Sequence, residues 1–296
     1  MLYMNKRSTG EKIFAVFNTI FLIGLCIIFI LPVWHVAMGS ISDPLKVSAA
    51  SGLILKPLGN ATLGGYKLVF SNSSIVKAYG NTLYYVVVAT LIGLILNILA
   101  AYVMSRKNLM FGKQFALFIV FTMIFNGGLI PTFIVVNKLG LYDTRWAVIL
   151  PGCLSAYNII IMRTSFSEIP SEMIEAARID GADDFKILSQ IILPVSKAII
   201  AVIVLFYGIQ HWNAWFNASI YLRNRNYYPL QLVLREVVLN STENAIVADT
   251  DGSDVNIYRP LIKYATIMVS IIPMMIVYPF VQKYFVSGVM IGSVKG

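Results

Sequence analysis

The sequence predicts an all-α integral membrane protein of about six transmembrane helices. Three observations predict it: composition, a series of long apolar runs, and polar segments that separate those runs. Of the 296 residues, 58% are hydrophobic and only 12% are charged. Soluble domains carry about 25% charged residues, and surface-to-volume scaling prevents a larger core from absorbing the deficit. The solvent matched to this surface is lipid. The net charge of +9 does not point to nucleic acid, because the lysines and arginines are scattered without a run of five or more. A mild basic excess suits loops that meet anionic lipid. The expected contact is the bilayer, with no nucleic-acid partner.

A span needs about 20 apolar residues to cross about 30 Å of hydrocarbon. Six stretches qualify: residues 13–37, 82–104, 115–136, 144–162, 194–212 and 261–282. The first follows Lys6, Arg7 and Lys12. Its apolar run from Ile13 to Val33 exceeds the roughly 7–15 residues of a signal-peptide core, so it reads as a retained anchor. The third contains Asn126-Gly127-Gly128 and Pro131, either a simple kink or a broken helix lining a site.

Residues 38–80, 163–193 and 216–260 are polar enough to leave the membrane, and 105–114 and 137–143 are short connections. Arg106, Lys107 and Lys113 in one short connection favour a cytoplasmic position for it. Both termini and 163–193 are then cytoplasmic (N-in, C-in), with 38–80 and 216–260 outside. No fixed-period repeat or low-complexity tract divides the chain, so residues 1–296 read as one transmembrane domain.

Catalytic and metal chemistry find no support. Cys26 and Cys153 lie inside apolar runs, and His35 and His211 lie far apart in the sequence, so no metal or redox spacing exists. No G-x-x-x-x-G-K-[ST], H-E-x-x-H or G-x-S-x-G occurs. The chain is therefore expected to be non-catalytic and to bind no cofactor or metal. The spans hold almost no interior Asp or Glu, which argues against a secondary transporter driven by an ion gradient and against a charge-ringed channel.

The informative stretch is Ile169–Pro194, IPSEMIEAARIDGADDFKILSQIILP. Ser171 suits an N-cap after Pro170, and Glu172 puts an acid in the first turn. Met173, Ala176 and Ala177 fall at i, i+3 and i+4 and should share a small-residue face. Gly181 supplies a helix stop in the left-handed conformation. Asp183 and Asp184 can open a second helix, with Phe185, Leu188 and Ile192 along one side. Pro194 fits the first turn of the next span. Periodicity alone is satisfied by an ordinary amphipathic surface loop; the alternative is a helix–turn–helix docking knob.

Glu175-Ala176-Ala177, Asp180-Gly181-Ala182, Phe185, Ile191 and Leu193-Pro194 closely resemble the EAA loop of the permease subunits of binding-protein-dependent ABC importers. Phe125–Pro131, Tyr157–Arg163, His211-Trp212-Asn213, Tyr228–Gln231 and Gly292–Gly296 are similar to the LplC/YtcP-like branch of the maltose-type carbohydrate-uptake permeases. The resemblance covers nearly the whole chain and implies the MetI-like permease fold. It also implies a multi-pass subunit of a bacterial plasma membrane, paired with a second homologous permease. Two ATPase subunits carrying ATP and Mg2+ and an extracellular lipid-anchored solute-binding protein that delivers an oligosaccharide complete the implied assembly. Residues 169–194 would be the cytoplasmic coupling loop, with Glu175 its charged contact and Gly181 its turn. The tail 283–296, with Gly292, Lys295 and Gly296, would reach the ATPases; a frayed terminus is the alternative.

One further band stands out. Tyr207, Gln210, His211, Trp212 and Asn213 close the fifth span. Aromatic platforms beside amides suit a sugar path, and Asn126 could join them. Interfacial anchoring explains aromatic residues here equally well, but it explains the polar members poorly.

Overall fold

A computed structural model describes residues 8–106, 108–239 and 253–293, with the side chains of 239, 253–256, 259, 280, 281 and 283–293 left out of the description. Among the described residues the regular structure is helical throughout, with no strand. The chain divides into two compact units, residues 1–72 with 241–271, and residues 73–240 with 272–296.

In the first unit, α1 (Thr9–Ser40) is a 32-residue helix opened by a capping box between Ser8 and Glu11. Its most apolar stretch is wholly uncovered by the rest of this chain, so lipid or a partner subunit surrounds it in the membrane. The short helices α2 (Pro44–Ala49) and α3 (Gly64–Ser71) follow. Asp43 caps α2, accepting from the Leu45 and Lys46 amides, with Pro44 at the first helical position, where no donor is lost. Residues 38–80, expected as one long loop, are therefore largely ordered helix and turn. Val47, Ile54 and Leu261 form their core, with Tyr258 and Tyr264 packed against it. Gly39 and Gly65 permit that packing: a Cβ on Gly65 would lie 2.8 Å from Leu261.

In the second unit, α4 (Ser73–Ser105) is the axis. It packs against α8 (Ala156–Ser167) and α12 (Lys197–Trp212). Two of the expected spans are bent, and a third bend lies at the start of the fifth. Helices α5 (Gly112–Ile124) and α6 (Leu129–Lys138) meet at 111°. The short α7 (Trp146–Ile149) and the 3-10 turn Leu150–Gly152 meet α8 at 46°, and the segment Asp184–Val195 meets α12 at 85°. Among the described residues, three helices are long and apolar enough to cross a membrane, or up to six if each bent pair is one span. The Asn126-Gly127-Gly128 signal thus marks a break in the helix rather than a kink: Gly128 has φ +88° and Asn126 Oδ1 accepts its amide at 2.9 Å.

At the N-terminal end of α4, α13 (Phe216–Tyr221) and α14 (Leu230–Leu239) complete the unit. Asn81 Nδ2 donates to the Asn226 and Tyr228 carbonyls, and Tyr85 Oη to the Tyr227 carbonyl. Asp143, at φ +57°, accepts the Asn224 and Arg223 amides, both at 2.8 Å. Those amides hold its carboxyl below the usual carboxylate range. The last helix, α15 (Ser253–Ser293), has 41 residues. It runs eleven residues into the expected tail 283–296 and includes Gly292, while Lys295 and Gly296 lie outside the described residues.

Candidate coupling site and the family it defines

The coupling knob is built at the C-terminal end of α4. Helix α9 (Ser171–Ile179) ends in two nested bonds, Ala182 N to Ala177 O at 2.9 Å and Gly181 N to Arg178 O at 3.0 Å. That pair is a Schellman closure, which places its C′ residue in the left-handed region; here it is Gly181, at φ +78°. Helix α10 (Asp184–Ile187) then starts from Asp183, whose carboxylate accepts the Lys186 amide. A single π-helical turn, Leu188–Ile192, and the short α11 (Leu193–Val195) carry the chain to the bend before α12.

One face of this knob belongs to the subunit's own core. Ile187, Leu188 and Ile192 are buried with Ala101, Tyr102, Met162 and Phe166, and Ile174, Ala177, Ala182 and Leu193 pack against them. The other face is uncovered. Glu175, Ala176 and Asp180 are exposed, as are Met173 at 44%, Phe185 at 75% and Ile179 at 86%. Two expectations are thereby corrected. Ala177 separates from Met173 and Ala176 because the α4–α8 groove takes one edge of α9. Phe185 separates from Leu188 and Ile192 because those two, with Ile187, turn into the core against α4 and α8 while Phe185 stays outside it. Pro194 is also exposed.

Sequence reasoning missed Ile179, which exposes more of its side chain than any other large apolar residue described. It also missed a brace behind the knob. Asp184 accepts from Tyr102 Oη at 2.9 Å and from Arg178 at 3.2 Å. The Tyr102 hydroxyl, and after it Arg178, hold the Asp184 carboxyl below its ordinary range. Arg106, over the Tyr102 ring at 4.7 Å, lies beside them.

The band on α12 is split. Tyr207, His211 and Trp212 are buried at 0%, 3% and 5%. Tyr207 Oη donates to the Cys153 carbonyl at 2.9 Å and accepts from Asn97 Nδ2. His211 stacks on the Tyr207 ring, and Trp212 meets Tyr79 edge-on. Gln210 and Asn213 are exposed, as is Asn126. Gln210 Nε2 lies beside Gly152, where an added Cβ would sit 3.3 Å away. Tyr157, on the neighbouring α8, is 54% exposed and rests against Phe206; it carries no sequence signal beyond its place in a similar segment. No group of three His, Cys, Asp or Glu that could hold a metal occurs among the described residues.

A helical membrane subunit with a rigid, partly apolar knob beyond its spans is the form of an importer permease that takes its energy from another chain. Residues 114–291 match the family described as "binding-protein-dependent transport system inner membrane component", and the chain belongs to it. It is 39% identical to the polygalacturonan/rhamnogalacturonan transport system permease protein YtcP of Bacillus subtilis, over 93% of this chain and 96% of that protein. It is 37% identical to protein LplC of the same organism, over 99% and 98%. A crystal structure of a bacterial ABC transporter involved in the import of the acidic polysaccharide alginate contains a chain that superimposes with a TM-score of 0.84. That chain is 31% identical, and the match covers 94% of this chain and 99% of it. The protein is a non-catalytic, multi-pass permease subunit of an ABC importer, not an ion-driven transporter. Membership implies a partner permease, an ATPase and a solute-binding protein.

Proposed function

We propose that this subunit and a second, related permease enclose the pore of an oligosaccharide importer in a bacterial plasma membrane. Two ATPase subunits, which bind ATP and Mg2+, drive it from the cytoplasm. An extracellular lipid-anchored binding protein delivers the cargo. The observation that carries the reading is the knob. Ile179, Phe185 and Met173 expose apolar surface outside the spans, around a turn that Gly181 and the Asp184 brace hold fixed. Large apolar side chains in that position mark a protein contact. Glu175, Ala176, Asp180, Ala182, Leu193 and Pro194 complete the coupling segment, and the end of α15 with residues 294–296 adds a second ATPase contact. The saccharide cargo is supported by the relatives named for pectic polysaccharides and alginate.

The path is assigned to the exposed polar members, Gln210 and Asn213, with Tyr157 as a stacking platform and Asn126 further along. Tyr207, His211 and Trp212 hold that surface in place from behind. An exposed amide among spans is costly against lipid and belongs beside a hydrated cavity. The test is reconstitution of the assembled transporter in vesicles. ATP inside should drive saccharide uptake that Glu175→Lys abolishes while insertion and abundance stay normal. Uptake driven by an ion gradient without ATP, or unchanged in Glu175→Lys, would remove the reading.

A further inference from the structure

The first unit leaves large apolar side chains uncovered on irregular backbone, at a depth that can be fixed. Along α1, the rise from Lys12 to Trp34 is about 33 Å at 1.5 Å per residue, close to the hydrocarbon thickness of a bilayer. With the Lys12 ammonium at one headgroup layer, the Trp34 indole reaches the other, where tryptophan settles. Trp34 is 48% exposed, and its Nε1 donates to the Leu55 carbonyl at 2.9 Å. One residue further along α1, His35 Nδ1 accepts the Ile54 amide at 2.9 Å. These two bonds tie residues 53–55 to the interfacial turn of α1.

Neighbouring side chains on extended backbone point to opposite sides. Ile54 turns inward, 4% exposed, into the core with Val47 and Leu261. Leu53 and Leu55 turn outward, at 60% and 58% exposure, and Lys56 beside them is exposed. We propose that Leu53 and Leu55, with Trp34, dip into the lipid leaflet at the C-terminal end of α1, while Lys56 meets the phosphates. The segment is then an interfacial anchor rather than a water-facing connection. Lipid is favoured over a protein partner for three reasons. The patch adjoins the end of α1 where Trp34 sits at headgroup depth. Its cation complements anionic headgroups. Two leucines and an indole fall well short of the roughly 800 Å² per partner of a stable protein interface. The inference requires only that α1 spans the membrane, so it holds for either orientation of the chain.

The experiment uses the assembled transporter in nanodiscs containing phosphatidylglycerol. Nitroxide labels at Leu53→Cys and Leu55→Cys, in a background carrying Cys26→Ala and Cys153→Ala, should collide freely with oxygen. They should collide with the water-soluble nickel chelate several-fold less than a label at Ser48→Cys, an exposed position of α2. Nickel access equal to that at position 48 would show a water-facing segment. Shielding from both reagents would show a protein cover. Either overturns the proposal. A carbene-generating phospholipid provides the second measurement on the unaltered sequence. It should label the peptide containing residues 53–56 as well as α1, and labelling of α1 alone would also overturn it.

Discussion

A single asparagine shows how this fold treats polar groups away from water. Asn97 is fully buried two turns before the C-terminal end of α4, where its Nδ2 donates to the Gly93 carbonyl at 2.7 Å and to Tyr207 Oη. Tyr207 in turn bonds the Cys153 carbonyl, which the turn before α8 leaves without a helical partner. Irregular backbone among spans survives only where protein satisfies it. Gly93 makes the approach possible, since a Cβ there would meet the Cys153 oxygen at 2.8 Å. Tyr207→Phe should therefore destabilise the subunit by about 1 kcal/mol, in the range of one lost buried hydrogen bond. Gly93→Val should cost more, because backbone must move. Thermal denaturation of the purified assembly reads both, and an unchanged midpoint in Tyr207→Phe would mean that the clasp contributes nothing. The sequence makes Tyr207, Gln210 and His211 neighbours at i, i+3 and i+4. It does not reveal that α4 and the 150–155 turn close over one edge of that arc and leave Gln210 outside. Periodicity fixes which residues adjoin; the packing partners decide which of them is covered.

At the scale of elements, the coupling loop was the most legible part of the chain. Its glycine stop and its second capped helix follow from local rules that act within four or five residues, whereas the first helix begins one residue early, with Pro170 rather than Ser171 at the N-cap and no side-chain cap bond. The π turn at Leu188–Ile192 was not legible, because apolar residues there satisfy an α or a π ladder equally. Gly181→Leu should abolish uptake while leaving insertion intact, since a left-handed Leu costs about 1–2 kcal/mol and the turn must reform elsewhere. Gly181→Asn, which tolerates that conformation, should retain much of it. Equal loss in both variants would place the requirement on something other than backbone shape. The brace carries a pH dependence whose sign is fixed by the lowered Asp184 carboxyl. A depressed carboxylate contributes above its unfolded pKa and loses that contribution as pH falls through the folded one. ATPase coupling should thus be insensitive to Asp184→Asn in acid below the carboxylate range and sensitive to it near neutrality. The comparison is the ratio of uptake to ATP hydrolysis across pH.

For the whole molecule, the second unit has two chemically different ends set by one helix. From Ser73 to Ser105, α4 rises about 48 Å, enough to cross a bilayer with both headgroup layers. Its N-terminal end gathers Asn81, Asp143, Arg145 and the 223–228 turn. Its C-terminal end gathers Arg106, Arg178, Asp184 and the knob. The six apolar runs were legible from hydropathy and Asn126-Gly127-Gly128 marked one bend, but the other two bends were not legible, because a break of a few residues barely alters the hydropathy of a twenty-residue window. The bends matter for topology: if α5 and α6, meeting at 111°, re-enter on one side, the parity of the remaining spans changes. The proposed coupling role would place the knob in the cytoplasm and therefore the 216–228 region outside. Single cysteines at Ser189 and Ser219, in a background lacking Cys26 and Cys153, decide it. An impermeant maleimide added to intact cells should modify position 219 and reach position 189 only after lysis. Modification of 189 alone in intact cells would invert the subunit. Modification of both would mean that α4 and α12 do not separate the two ends, and would remove the knob from the ATPase side altogether.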